Sequence, residues 1–347
     1  MRASHFLPIA AFMLIASPAF TDDTPDDSKV IAKIELLGGE VTRDETLPNH
    51  PVVYISFRGS KRFGDGYLHL LKNFPSLKSL DLAGTNVTDD GLKEIRDLNC
   101  LTTLFLSCPS ITVVGLKEIA SMKNLATLNL SGKKVQAAEL KELLGLKGLT
   151  TLRLVGTPIK NGEVKVFSQH KALISLSLSG TFIKDGVEQD LKDFNHLQTL
   201  DLSATHLTGV GLSELKELTN LTTLDFSRTK FTDIAVQELC ELKNLTTLDL
   251  SSTLLTGAGL KDLAELKNLS RLDVSDTKLT DAGLKEISEL EHLTTLKLRN
   301  TSVTDVGLKQ LTQLTMLTYL DLTGTNTTDA GMKELKDSLP KLFINRE

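Results

Sequence analysis

Residues 269–292 read LSRLDVSDTKLTDAGLKEISELEH, and this stretch contains the whole pattern that decides the fold. Its first apolar side chains, such as Leu272 and Val274, alternate with polar ones, which is typical of a short strand with one buried face. Later apolar side chains, such as Leu284 and Ile287, fall at spacings of three and four, which is the helical period. The stretch therefore predicts a strand, a turn and a helix.

The same pattern recurs along most of the chain with a period of 24 residues. The leading leucine is found at eleven evenly spaced positions: Leu77, Leu101, Leu125, Leu149, Leu173, Leu197, Leu221, Leu245, Leu269, Leu293 and Leu317. One unit cannot bury both of its apolar faces, so the copies must stack, with strands forming a parallel sheet and helices packing behind it. Because helices are wider than the roughly 4.8 Å strand spacing, the stack should curve into a horseshoe.

This repeat resembles the leucine-rich repeat, most closely its ribonuclease-inhibitor-like branch and the exported bacterial proteins with TDxGL repeats. The resemblance covers roughly residues 50–347. It implies an α/β fold, a right-handed leucine-rich-repeat solenoid with the parallel sheet on the concave face and the helices on the convex face.

Two columns of threonine accompany the leucines. Thr277 represents the first column, which holds the place usual for Asn, and we expect its hydroxyl to bridge backbone groups of neighbouring coils. Thr280 represents the second, which is often followed by Asp and suits a helix start, where free backbone N–H groups need an acceptor. Both columns are therefore interpreted as parts of the scaffold.

Residues 1–19 have the pattern of a signal peptide. Arg2 precedes an apolar run, and the small residues Ser17 and Ala19 fit cleavage after Ala19. The alternative is an uncleaved anchor, which we favour less because the run is shorter than the roughly 20 residues that a bilayer needs. We expect an exported protein, periplasmic or extracellular, with no stable membrane insertion after cleavage.

The rest of the chain divides into four segments. Residues 20–28 are an acidic, flexible segment, and residues 29–51 are an N-terminal cap with a helix and a short strand near Val41. About 12 repeats span residues 52–338. Residues 339–347 form a C-terminal cap, an incomplete last strand that breaks the 24-residue register by one residue. Caps are expected because a solenoid would otherwise expose an apolar edge at each end.

Composition and motifs argue against several classes of function. The net charge of −5 disfavours nucleic acid or an anionic membrane as the main partner. Three cysteines, Cys100, Cys108 and Cys240, cannot all pair, and we favour unpaired residues over a disulfide framework. The seven His lack a metal-ligand spacing, and no phosphate loop, zinc signature or nucleophile elbow is found. We predict no enzyme activity, metal or cofactor.

Candidate site residues lie on the strands, two, four and six places after the leading leucine, where side chains face the concave surface. Most are Thr or Ser. An acidic row comprises Asp201, Asp225, Asp249 and Asp273, a C-terminal patch comprises Arg271, Lys297, Arg299 and Tyr319, and a weaker counterpart near the other end comprises Phe105 and Arg153.

The acidic row has two interpretations. A row of carboxylates on adjacent strands repels itself, raises the pKa of its members and favours a basic segment or a divalent cation. Alternatively, Asp is the consensus residue of the repeat, well solvated and hydrogen-bonded to neighbouring Thr and Ser. The C-terminal patch contains residue types that dominate binding energy at protein interfaces.

The repeats that begin at Leu125, Leu149 and Leu173 are the least regular, with Lys133 in place of the threonine. Their irregularity indicates either a local bulge or a partner-specific site. Taken together, the sequence favours a monomeric, non-catalytic module that binds a protein or another extended ligand through its concave face. The alternatives are a stiff spacer in an envelope or matrix, and a regulator or inhibitor of a secreted enzyme.

Overall fold

The computed structural model describes residues 27–131 and 138–346. The expected signal peptide, most of the expected acidic segment and Lys133 lie outside these residues. Within the two described ranges, no helix is both long enough and apolar enough to cross a membrane.

The described residues form one open sheet whose strands lie side by side in chain order. Its 14 strands are β1 (Glu40–Arg43), β2 (Val52–Ser56), β3 (Ser79–Asp81), β4 (Thr103–Leu106), β5 (Thr127–Leu130), β6 (Thr151–Arg153), β7 (Ser175–Ser177), β8 (Thr199–Asp201), β9 (Thr223–Asp225), β10 (Thr247–Asp249), β11 (Arg271–Asp273), β12 (Thr295–Lys297), β13 (Tyr319–Asp321) and β14 (Phe343–Asn345). Strand β1 pairs with β2 in the antiparallel sense, and β2 to β14 are parallel. The expected α/β solenoid, with its sheet on the concave face, is confirmed.

Helices return the chain across the convex face. The α-helices are α1 (Ser28–Leu36), α2 (Asp89–Ile95), α3 (Val113–Ser121), α4 (Glu188–Leu191), α5 (Val236–Leu239), α6 (Asp281–Ile287), α7 (Asp305–Leu308) and α8 (Asp329–Ser338). The structure also contains 3₁₀ helices, at Asp65–Asn73, Leu140–Gly145, Val164–Gln169, Leu212–Glu217, Asp233–Ala235, Leu260–Glu265 and Lys309–Gln313. Two of them adjoin an α-helix of the same repeat: Asp233–Ala235 precedes α5, and Lys309–Gln313 follows α7. The α-helix expected in each repeat is therefore present in some repeats and replaced by a 3₁₀ helix in others.

The residue after the second-column threonine influences which helix forms. Where it is Asp, a helix begins at that residue, because a carboxylate suits the positive end of a helix. This helix is α at Asp281 and Asp305 and 3₁₀ at Asp233. Where it is Gly, as at Gly209 and Gly257, the backbone takes a φ of 91° or 101°. A left-handed residue cannot begin a right-handed helix, and a short 3₁₀ helix follows in both repeats.

The core lies between the sheet and the helices. In the repeat quoted first, Leu272 and Val274 from the strand meet Leu279, Leu284 and Ile287 from the turn and helix, and none of the five is more than 1% exposed. These side chains belong to one continuous apolar cluster along the solenoid. Each repeat therefore fills its interior from both of its elements.

The first threonine column bonds within its own repeat. Thr277 Oγ1 donates to the carbonyl of Val274 at 2.7 Å, and Thr85 does the same to Leu82 at 2.7 Å. The expectation that this hydroxyl bridges neighbouring coils was wrong, because the turn brings a carbonyl three residues back within reach. All nine residues bond in this way: Thr85, Thr157, Thr181, Thr205, Thr229, Thr253, Thr277, Thr301 and Thr325.

The second column provides a recurring pair of hydrogen bonds between repeats. Thr304 donates its backbone N–H to Asp281 Oδ1 at 2.8 Å and its hydroxyl to Asp281 Oδ2 at 2.7 Å, so one carboxylate holds the next repeat twice. The expected capping is also present at Thr304, whose hydroxyl accepts from the backbone N–H of Val306. The two-bond link recurs in six pairs: Asp65 with Thr88, Asp89 with Thr112, Asp185 with Thr208, Asp233 with Thr256, Asp281 with Thr304, and Asp305 with Thr328.

The last strand keeps the register of the sheet. Tyr319 pairs with Phe343 and Leu320 with Ile344, so the offset remains 24 residues and the expected register break was wrong for the strand. Only the leading apolar position moves, since Leu342 is 5% exposed. The apparent break in sequence is therefore a local substitution before the strand.

Candidate functional site

The sheet brings the acidic row together. Asp201 pairs with Asp225, Asp225 with Asp249, and Asp249 with Asp273, each on an adjacent parallel strand. Neighbouring strands are about 4.8 Å apart, so the carboxylates form a continuous line across β8 to β11. The next residue in this line is Lys297 on β12.

Each carboxylate of the row also has a local structural role. Its Oδ1 atom accepts the backbone N–H of the serine two residues later, at 3.0, 2.8, 2.9 and 3.0 Å for Asp201, Asp225, Asp249 and Asp273 respectively. This bond satisfies an N–H group at the end of the strand, a position where Asp is well suited to close a turn. The interpretation of Asp as a hydrogen-bonded consensus residue therefore has support. This backbone hydrogen bond engages Oδ1 and not Oδ2.

Neighbouring groups satisfy the two ends of the row. Asp201 Oδ2 accepts the hydroxyl of Ser177 at 2.6 Å. At the other end, Asp273 Oδ2 lies 3.1 Å from Lys297 Nζ. Among the described residues, no ammonium group and no hydroxyl of a neighbouring strand bonds to the second oxygen of Asp225 or Asp249, in the middle of the row.

The proton affinity of the middle residues reflects this arrangement. Burial raises the pKa of Asp225 above its usual value, and the charges of Asp201 and Asp273 add to the rise. Burial, followed by the charge of Asp273, raises the pKa of Asp249 to about 6, against the effects of hydrogen bonds from Ser251. Both carboxylates therefore ionise less readily than an exposed Asp.

The arrangement of the acidic row differs from that of a high-affinity metal site. Within residues 27–131 and 138–346, no group of three or more His, Cys, Asp or Glu side chains is placed to hold a metal ion. High-affinity cation sites take several oxygen ligands at varied angles, whereas the row projects from one regular sheet. A basic partner suits this geometry better than a cation.

Among the described residues, the C-terminal patch contains one basic side chain that forms an ion pair and two that do not. Lys297 is engaged by Asp273. Burial lowers the pKa of Lys297, but the charge of Asp273, its hydrogen bond and the charge of Asp249 together outweigh burial and raise that pKa. Arg271 and Arg299 are exposed, and neither forms an ion pair with any described residue. The two arginines therefore carry the available positive charge of this patch.

Sequence reasoning missed one residue of this surface. Phe343 stacks on Tyr319 across β13 and β14, with ring centroids 5.8 Å apart and an interplanar angle of 25°. Its side chain is 61% exposed, although it is large and apolar. The sequence could have indicated this position, because Phe343 lies 24 residues after Tyr319. The displacement of the leading leucine to Leu342 obscured that spacing.

Phe105 and Arg153 do not form a single group. They lie on β4 and β6, with Asn129 of β5 between them, and both are half-buried. The Nε atom of Arg153 is buried and has no hydrogen-bond partner. The strands β6 and β11 are five strand spacings apart, so Arg153 lies about 24 Å from Arg271 along the sheet.

The rim beside the acidic row contains strained backbone. Ala204, Arg228, Ser252, Asp276 and Asn300, in five successive repeats, have φ between 53° and 58°. A left-handed conformation costs a residue with a Cβ atom roughly 1 kcal/mol. Other repeats place glycine at this position: Gly84, Gly156, Gly180 and Gly324. Side chains are thus retained at some cost next to the most charged part of the concave face.

Comparison with known proteins agrees with the fold. A model for the leucine-rich repeat region matches residues 173–345, and a leucine-rich repeat model matches residues 75–95. No curated protein matches the sequence. Among solved structures, an internalin (inlF) from Listeria monocytogenes is similar, with a TM-score of 0.59 and 20% identity over 92% of this chain and 95% of the internalin.

Two receptor complexes share the architecture over a shorter part of their length. The mouse RP105/MD-1 complex gives a TM-score of 0.59 and 22% identity over 78% of this chain and 47% of that one. The TLR13–ssRNA13 complex gives a TM-score of 0.60 and 21% identity over 80% of this chain and 44% of that one. The present chain thus spans about half the length of these two proteins. Its 24-residue period, its open sheet and the matching repeat models together identify it as a leucine-rich repeat protein.

Proposed function

We propose that this protein is a non-catalytic recognition module that binds a protein partner through its concave sheet. The observation that carries the proposal is the middle of the acidic row, where Asp225 and Asp249 remain close together although proximity and burial disfavour their charges. Such costly arrangements are retained where function needs them. A partner that supplies positive charge would relieve this cost.

Similar solved structures support a binding role. RP105 was solved in complex with MD-1, TLR13 in complex with ssRNA13 and the receptor RGFR1 in complex with RGF2. For the present chain we favour a protein over a nucleic acid, because its net charge is −5 and its concave face contains a line of carboxylates that would repel phosphates.

The site of action belongs to the same proposal. Because residues 1–19 have the pattern of a signal peptide, we place the protein outside the cytoplasm, in the periplasm or the extracellular space, as a monomer. N-terminal sequencing of the protein recovered from culture and envelope fractions tests this. A mature chain that begins after Ala19 is expected, and an intact Met1 in the cytoplasmic fraction would contradict export.

Photo-crosslinking in the native host tests the binding surface. A photoreactive amino acid at Thr247, half-exposed on the concave face, should crosslink to a defined protein, whereas the same group at the exposed convex residue Lys285 should not. The crosslinked protein is identified by mass spectrometry. Equal crosslinking from both faces, or none from Thr247, would contradict recognition through the concave sheet.

A charge-removal variant gives the second readout. Replacing Asp225, Asp249, Arg271 and Arg299 together with Ser should abolish the Thr247 crosslink and any phenotype that depends on the protein. A spacer in an envelope or matrix would instead tolerate this change, because its function depends on the stiffness of the repeats alone. An unchanged phenotype would therefore favour the structural role.

A further inference from the structure

Three pairs of side chains follow one another across the C-terminal half of the concave face. An acidic pair, Asp225 and Asp249, lies on β9 and β10. An arginine pair, Arg271 on β11 and Arg299 just after β12, comes next. The aromatic pair, Tyr319 and Phe343, occupies β13 and β14.

The acidic pair faces solvent without a cation. Among the described residues, no Lys, Arg or His forms an ion pair with Asp225 or Asp249, while the next carboxylate, Asp273, is held by Lys297. The Asp273–Lys297 ion pair continues the line of the acidic pair, with Arg271 two residues before Asp273 on β11 and Arg299 two residues after Lys297. A ligand group opposite the acidic pair must be cationic, because an anion would add to a repulsion that already raises both pKa values.

The arginine pair is available in the same way. Both side chains are exposed, and neither guanidinium forms an ion pair or a hydrogen bond with a described residue. A guanidinium presents a planar fork of donors that matches a carboxylate with two parallel hydrogen bonds. Acidic side chains are therefore the groups that this part of the surface fits.

The aromatic pair offers apolar contact at the end of the series. Stacked rings with one member 61% exposed provide a flat apolar surface beside the arginines. Aromatic and arginine side chains together are the residue types that concentrate binding energy at interfaces. An aromatic or large apolar side chain of the ligand would fit here.

Strand spacing sets the length of the ligand. From β9 to β14 there are five steps of about 4.8 Å, or about 24 Å. An extended chain rises about 3.3 Å per residue, so about seven to eight residues would cover this distance. A segment of that length, running across the strands along the line of the acidic pair, would pass between Arg271 and Arg299 and reach the aromatic pair.

We propose that the concave face selects an extended protein segment whose side chains are basic, then acidic, then aromatic, over about eight residues. The inference rests on the proposed function and adds the chemical order of the partner. Polyanions such as sulfated polysaccharides match the arginine pair alone, and the acidic pair repels them. The order of charges thus discriminates among ligands as well as attracting one.

Two synthetic peptides of identical composition test the order. The ordered probe is fluorescein-labelled Ser-Lys-Ser-Lys-Ser-Glu-Ser-Glu-Ser-Trp. The permuted probe, Trp-Ser-Lys-Ser-Lys-Ser-Glu-Ser-Glu-Ser, places the aromatic residue next to the basic ones, and reversing its direction on the sheet does not restore the order. Fluorescence anisotropy with the full-length protein at low salt should show the ordered probe binding about tenfold more tightly.

Variants of the protein locate the binding. Arg271→Ser with Arg299→Ser should weaken the ordered probe about tenfold. The matched control, Lys261→Ser with Lys285→Ser, removes the same charge from exposed convex residues and should change the affinity less than about twofold. Arg271→Glu with Arg299→Glu should bind more tightly to a probe in which Lys replaces both Glu residues than to the ordered probe.

Three results would overturn the inference. These are equal affinity for the two probes, no binding of the ordered probe at about 1 mM, and tighter, arginine-dependent binding of heparin, which would make the arginine pair a polyanion site. None of them would affect the crosslinking from Thr247. A concave-face partner whose bound segment lacks the basic, acidic and aromatic order would leave the proposed function standing and this inference refuted.

Discussion

Replacing Asp249 with asparagine should stabilise the protein at neutral pH. Asparagine keeps the shape of the side chain and an Oδ1 atom that can accept the backbone N–H of Ser251, now 2.9 Å away. It removes the charge that burial and the neighbouring carboxylates Asp225 and Asp273 disfavour. The substitution thus isolates the electrostatic cost of the acidic row from its structural role.

The pKa of Asp249 sets the size of the effect. A rise from 3.8 to about 6 corresponds to about 3 kcal/mol when the carboxylate is fully ionised in both states. Because the side chain retains some exposure, and water screens the charges, we expect Asp249→Asn to raise the free energy of unfolding by about 2 kcal/mol at pH 7.5.

The pH dependence has a defined sign. A carboxyl whose pKa is higher in the folded state favours folding when it is protonated, so its contribution is complete below the unfolded value of 3.8. That contribution is lost as the pH rises through about 6. The stability advantage of Asp249→Asn should therefore be small at about pH 4 and should grow until about pH 7.

Urea unfolding followed by circular dichroism, at several pH values, measures this difference. Asp201→Asn is the matched control. Asp201 already accepts hydroxyl hydrogen bonds from Ser177 and Ser203 at 2.6 Å each, so its neutralisation should weaken favourable bonds and stabilise nothing. Equal stability of Asp249→Asn and the natural protein at pH 7.5, or a difference that does not vary with pH, would refute the reasoning.

Three further substitutions address the scaffold and its strained positions. Asp281→Ala removes both acceptors of Thr304 and should lower the free energy of unfolding by about 2 kcal/mol; an unchanged urea midpoint would contradict a role in joining repeats. Glu188 is 2% exposed, its Oε1 has no hydrogen-bond partner, and burial raises its pKa. Glu188→Gln should therefore raise the thermal midpoint at neutral pH, with a gain that shrinks as the pH falls towards 4.5; the same gain at both pH values would exclude the charge as its cause. Ala204→Gly, at a φ of 54°, should add up to about 1 kcal/mol in urea unfolding, and a loss of stability would show that this backbone is not strained.

The solenoid could be predicted because its information is local and periodic. Each 24-residue unit contains its own strand residues, such as Leu272, and its own helix residues, such as Leu284. The same apolar pattern recurs in every copy. The direction of the strand side chains follows from the period of two. The concave positions of Asp225 and Arg271 could therefore be assigned before any contact was known.

The hydrogen-bond partners of individual side chains could be known only from the tertiary structure. The sequence places Thr277 and Asp281 correctly, but only the folded geometry decides that the threonine bonds within its own repeat and that the carboxylate reaches Thr304 of the next. Which oxygen atoms lie within hydrogen-bonding distance depends on how neighbouring turns are packed, and a periodic pattern contains no such distance.

The charges of the concave face divide in the same way. The sequence by itself determined that four carboxylates stand in a row. Only the structure decided that Ser177 and Lys297 satisfy the ends and leave Asp249 with a pKa of about 6, and that Phe343 extends the surface. Burial, desolvation and the proximity of charges depend on atomic positions across neighbouring strands, whereas the identity of each column depends on sequence alone.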